Sequence, residues 1–104
     1  MKETITFVTC KDRAQARNMA RTLIREKLAA CVNLVPGVTS IYVWKGKLEE
    51  AAEVLLLVKS RAALSKRLAA RVRALHSYSV PEVITIPIAS GNPAYLRWIR
   101  ESTR

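Results

Sequence analysis

"CVNLVPGVTSIYVWKGKLEEAAEVLLLVKS", residues 31–60, holds two long β-rich runs around the dipeptide Lys45-Gly46. That dipeptide reads as a tight turn, because glycine accepts the positive φ that a two-residue hairpin loop demands. Pro36-Gly37 interrupts the first run. The returning run is the informative one. A strand with one wet face alternates apolar and polar residues, yet "EVLLLV", 53–58, is apolar toward both faces. "SIYVW", 40–44, likewise sets Tyr42 and Trp44 on one face and Ile41 and Val43 on the other.

The flanking sequence completes the pattern. "TITFVTC", 4–10, is rich in β-branched residues and reads as a strand. Asp12 then has the character of an N-cap. Apolar residues at Ala16, Met19, Ala20, Leu23, Ile24 and Leu28 form a helical stripe, which predicts a helix over 12–30. Its other face carries Arg13, Arg17, Arg21 and Arg25. Beyond the hairpin, Ser60 is expected to cap a second helix with Leu64, Leu68, Val72 and Leu75 inward. "EVITIPIA", 82–89, reads as the fourth strand, and Gly91-Asn92-Pro93 opens a short terminal helix.

The order β-α-β-β-α-β plus a terminal helix predicts an α+β, ferredoxin-like fold: an antiparallel sheet with both main helices on one face. The strand order expected is 4-1-3-2. Pro36 and Pro87 then fall on the two edge strands, where proline removes the least hydrogen bonding. Two helices cover one sheet face only. The apolar second face of residues 53–58 therefore predicts burial against another copy of the chain.

A chain of 104 residues is read as one domain, 1–104. The longest apolar run, Val54 to Val58, is far below the ~20 residues of a membrane span, so no membrane partner is expected. The N-terminus shows neither a long apolar core nor a small-residue cleavage site, so the cytoplasm is the expected location. Cys10 and Cys31 flank opposite ends of a predicted helix about 28 Å long, too far apart to pair. Eighteen Lys and Arg against eight acidic residues give a net charge of +10, a surface that attracts anions. Nucleic acid is nevertheless not the expected ligand. RNA-binding proteins of this element order stack bases on aromatics of the central strands, whereas Phe7 is the only aromatic on the first strand and residues 53–60 carry none. No Gly-rich phosphate loop, nucleophile elbow or Cys–His pair with an orienting acid is present, so no enzyme is indicated.

Two clusters carry chemistry. In "LHSYSVPE", 75–82, the only histidine, His76, stands six residues before Glu82. Imidazole and carboxylate could ligate Cu(II) or Zn(II), which need further N, O or S donors. Alternatively, His76 ends the second helix and Glu82 pairs with a basic neighbour. Glu49, Glu50 and Glu53 gather at the start of the third strand. They could bind a cation or do acid–base work, or they form surface ion pairs.

The runs "LAAC" (28–31), "PGVTSIYVWKGK" (36–47), "PE" (81–82) and "YLRWI" (95–99) together resemble the CutA family of divalent-cation-tolerance proteins, and the likeness extends from "FVTC" to the final helix. The resemblance implies a small cytoplasmic homotrimer with its helices outside, a role in tolerance of divalent metals, and copper binding in some members. It implies no required cofactor, with copper as the ion to expect at His76 and Glu82. The family pattern His-Pro-Tyr-Glu-x-Pro-Glu keeps His76, Tyr78, Pro81 and Glu82 here, but Ser77 and Ser79 replace its proline and first glutamate. A lost carboxylate leaves one hard ligand fewer. The alternative is a PII-like signalling trimer that binds a small anionic ligand between subunits, with Trp44, Glu53, Lys59 and Tyr78 around an intersubunit pocket.

Overall fold

A computed structural model describes residues 2–104. The chain forms β1 (Glu3–Cys10), α1 (Arg13–Arg25), β2 (Cys31–Trp44), β3 (Lys47–Arg61), a 3₁₀ turn (Ala62–Leu64), α2 (Ser65–Leu75), β4 (Val83–Pro87) and α3 (Pro93–Glu101). The four strands make one antiparallel sheet in the order β2-β3-β1-β4. This is the expected ferredoxin-like arrangement, with β2 and β4 at the edges.

Alternation along the strands separates two faces. Val8, Cys10, Val54, Leu56 and Val58 lie on one, together with half-buried Val32 and Leu34. They pack with Ala16, Met19, Ala20 and Leu23 of α1 and Leu68 and Val72 of α2, which forms the main core. The opposite face carries Phe7, Leu55 and Leu57, half-buried, and Ile84 and Ile86, which are exposed. The third strand is thus apolar on both sides, and α3 covers only the end of the second face. There Glu3, cross-strand from Arg61, meets Arg100 at 2.7 Å, while Arg61 bonds Thr103.

Several local expectations are corrected. Helix α1 ends at Arg25 rather than 30: Lys27 takes φ 60°, and the Leu28 amide bonds back to the Leu23 carbonyl. That left-handed turn re-aims Leu28 into the core after the helix has stopped. Ser60 caps no helix, because β3 runs on to Arg61; its buried Oγ donates to the Leu28 carbonyl at 2.7 Å instead. The dipeptide Pro36-Gly37 bends β2 through a bulge, with Gly37 at φ 79°, without ending it. β4 is shorter than 82–89. Asp12 and Asn92 do cap α1 and α3, accepting from the Gln15 and Ala94 amides.

Pairing of β3 with β1 ends at Cys10–Val54, whereas pairing with β2 continues to Trp44–Lys47. The hairpin therefore projects as a two-stranded arm, turned by Lys45 and Gly46 at φ 52° and 80°. Its tip residues Ile41, Val43 and Leu48 are 62%, 67% and 76% exposed, since no third strand or helix covers them.

Candidate functional site: an acidic, aromatic groove at the root of the hairpin arm

The arm leaves the sheet at Glu53, opposite Val38. Beyond the bulge, Tyr42 and Trp44 alternate on the face of β2 that Glu53 shares on β3. The segment after α2 passes the same point, because Leu75 is the last helical residue and His76 is already extended. It brings Tyr78 and Glu82 over the arm. Between the two lies a groove of about 650 Å³, lined by Thr9, Tyr42, Trp44, Glu53, Tyr78 and Glu82 among others.

His76 organises one wall. One ring nitrogen, Nε2, lies 2.7 Å from the Thr9 carbonyl, and the other, Nδ1, accepts from the Tyr78 amide at 3.1 Å. A carbonyl only accepts and an amide only donates, which assigns the ring proton to Nε2. The imidazole and Tyr78 rings stack, tilted, with centroids 4.6 Å apart. Tyr78 then donates its hydroxyl to Glu53 Oε2 at 2.8 Å. Glu53 is 8% exposed, so this bond satisfies a carboxylate that is otherwise largely out of water.

The electrostatics follow from these neighbours. Partial burial and the charge of Glu53 raise the Glu82 carboxyl above its ordinary range. Burial and the same carboxylate raise the Tyr78 phenol, which stays protonated and able to donate. Burial, with Glu53 and Asp12 nearby, pushes the Cys10 thiol up to about 11, so it remains a protonated core side chain rather than a thiolate ligand. Cys31 is also free.

The structure thus gathers Trp44, Glu53, Tyr78 and Glu82 at one groove. His76 stands behind Tyr78 with both nitrogens bonded to backbone, and Lys59 lies outside the groove lining, donating to Asn33. Sequence reasoning did not assign Tyr42 or Thr9 to the site; the alternation of Tyr42 with Trp44 was the available signal. Among the described residues the ion pairs are Arg71–Glu26 and Arg100–Glu3, so neither Glu82 nor Glu49, Glu50 or Glu53 has the basic partner expected for it. No group of three His, Cys, Asp or Glu residues there is arranged to hold a metal. No helix there is long and apolar enough to cross a membrane.

A four-stranded ferredoxin-like protein with a carboxylate-bearing groove at the base of a long hairpin is the class these features define. Residues 4–102 match the CutA1 divalent ion tolerance protein family, and the chain belongs to that family. It is 50% identical to the divalent-cation tolerance protein CutA of Thermus thermophilus, over 97% of this chain and 98% of the relative. It is 48% identical to human Protein CutA over 93% of this chain. The chain spans only about half the length of that relative and of the mouse one, at 54% and 55%. The crystal structure of CutA1 from Oryza sativa superposes with a TM-score of 0.97 at 45% identity, covering 100% of this chain and 95% of the other. The family description and the name of the Thermus thermophilus relative speak of tolerance of divalent ions, and none of these names describes a catalysed reaction. Their compartments differ, since an Arabidopsis thaliana relative is named chloroplastic and an Archaeoglobus fulgidus one periplasmic.

Proposed function

We propose that this CutA-family chain acts in the cytoplasm as a homotrimer that takes up a divalent cation, Cu(II) foremost, at one site per subunit. The observation that carries the reading is the charge of the groove. Among the described residues its charged lining is Glu53 and Glu82, on a chain of net charge +10. Glu82 is the accessible carboxylate and supplies the first ligand. His76 supplies the second by exchanging one of its backbone hydrogen bonds for the ion, an exchange that weakens the site relative to a preformed cage. The uncovered apolar sheet face, with Ile84 54% and Ile86 42% exposed, supports burial between copies. The same lining disfavours a small anionic ligand, because the groove offers carboxylates where an anion needs donors.

Native mass spectrometry with and without stoichiometric Cu(II) tests this reading. A trimer carrying three coppers is expected, with loss of copper in Glu82→Gln and in His76→Gln. Retention of all three in both variants would remove these ligands, and a monomeric mass would remove the assembly.

A further inference from the structure

The groove walls carry more than charge. Tyr42, Trp44 and Tyr78 line it together with the two carboxylates, and no Lys, Arg or His does so among the described residues. On a chain with eighteen basic residues this separation matters. The Debye length is about 8 Å at physiological salt, so the distant helix surface adds little to the field inside, which the lining sets together with its cross-strand neighbours, Glu49 opposite Tyr42 and Lys47 opposite Trp44.

Glu53 shows how that field is aimed. Its side chain is more than nine-tenths buried, and Tyr78 occupies Oε2. Glu53 also lines the groove, so its carboxylate is presented there with the Tyr78 hydroxyl on one oxygen. Tyr78 is fixed from behind by His76, so the aromatic face and the carboxylate hold a constant relation. Aromatic faces carry negative potential and attract cations that also bear apolar carbon. A hydrated metal ion gains little from such walls and asks for three or more donors instead. An anion gains nothing from them. The cavity volume of about 650 Å³ suits a small organic molecule and greatly exceeds what one ion fills.

We infer that the groove binds an organic ammonium ion, with its nitrogen between Glu53 and Glu82 and its carbon skeleton against Tyr42, Trp44 and Tyr78. This goes beyond the copper reading and does not rest on it.

The test uses the full chain at physiological salt with four matched probes: n-hexylammonium, hexyltrimethylammonium, hexanol and hexanoate. Binding is read by calorimetry and by the emission of Trp44, with Trp44→Phe identifying that signal against Trp98. Saturable binding of the two ammonium ions is expected, at least tenfold tighter than hexanol or hexanoate. Glu82→Gln should weaken the ammonium ions tenfold or more and leave hexanol unchanged. Glu82 is exposed, so that variant remains folded even if Glu53→Gln does not. Equal binding of hexanol would reduce the groove to an apolar cleft, preference for hexanoate would reverse its sign, and absence of saturable binding would overturn the inference. Copper uptake without ammonium binding overturns this inference alone, and ammonium binding without copper uptake overturns the copper reading alone.

Discussion

The Tyr78 hydroxyl donates to Glu53 at 2.8 Å, tying the segment after α2 to the strand position where the hairpin arm loses its third neighbour. One phenol proton thus satisfies a buried carboxylate and holds the groove open between two elements that no sheet bonding connects.

Tyr78→Phe keeps the ring on His76 but leaves Glu53 without its donor. Removing one partner of a buried polar pair costs about 1–3 kcal/mol. The urea midpoint of the variant should fall accordingly, with far-UV circular dichroism unchanged. An unchanged midpoint would mean that water satisfies Glu53 fully.

Glu82→Gln should act in the opposite direction. The folded carboxyl holds its proton to higher pH than the unfolded one. As pH rises from the ordinary glutamate range through the raised folded value, the unfolded state ionises first, so the wild-type chain loses stability there. Above that window Glu82→Gln should have the higher melting temperature, and below about pH 4 the two should converge. A variant no more stable at pH 7 would show that neither burial nor the charge of Glu53 disfavours the ionised Glu82 carboxylate.

Ser60→Ala removes the bond from Oγ to the Leu28 carbonyl inside the core. The expected loss is about 1–2 kcal/mol in denaturant unfolding. A helix-cap role would instead show as lost helicity at the start of α2, which the structure does not predict.

Ile84→Lys places a charge on the uncovered sheet face at a residue 54% exposed in the single chain. It should leave the fold intact and split the proposed assembly in sedimentation. An assembly that persists would have its interface elsewhere.

Much of this architecture is legible in the sequence because periodicity reports burial directly. The stripes on α1 and α2, the Lys45-Gly46 turn and the double-sided "EVLLLV" place side chains by spacing alone, except Ile24, which lies at the margin of its stripe and is exposed. The misassigned details belong to single residues with two competing local roles. Ser60 has the chemistry of a helix cap, but the sheet pairing Thr4–Ser60 keeps it extended. Lys59 shares the strand face of Glu53, yet six residues at about 3.3 Å each carry it well past the groove. His76 and Glu82 stand close in sequence, but the Thr9 carbonyl and Tyr78 amide, contributed by the backbone, decide what the imidazole does. No residue pattern announces a carbonyl.

The strand order also sets a schedule for assembly. β1 is the first strand of the fold and sits in the interior of the sheet, between β3 and β4, both supplied later in the chain. The β2–β3 hairpin can zip locally as soon as it exists, whereas β1 must wait with Ile5 and Phe7 exposed until Leu57 and Ile84 arrive beside Phe7. Contacts of such long sequence separation slow folding and leave apolar strands open to wrong partners. For this chain the perilous interval falls during synthesis on the ribosome, and conditions that slow translation through residues 11–53 should favour aggregation more than the same delay placed after β4.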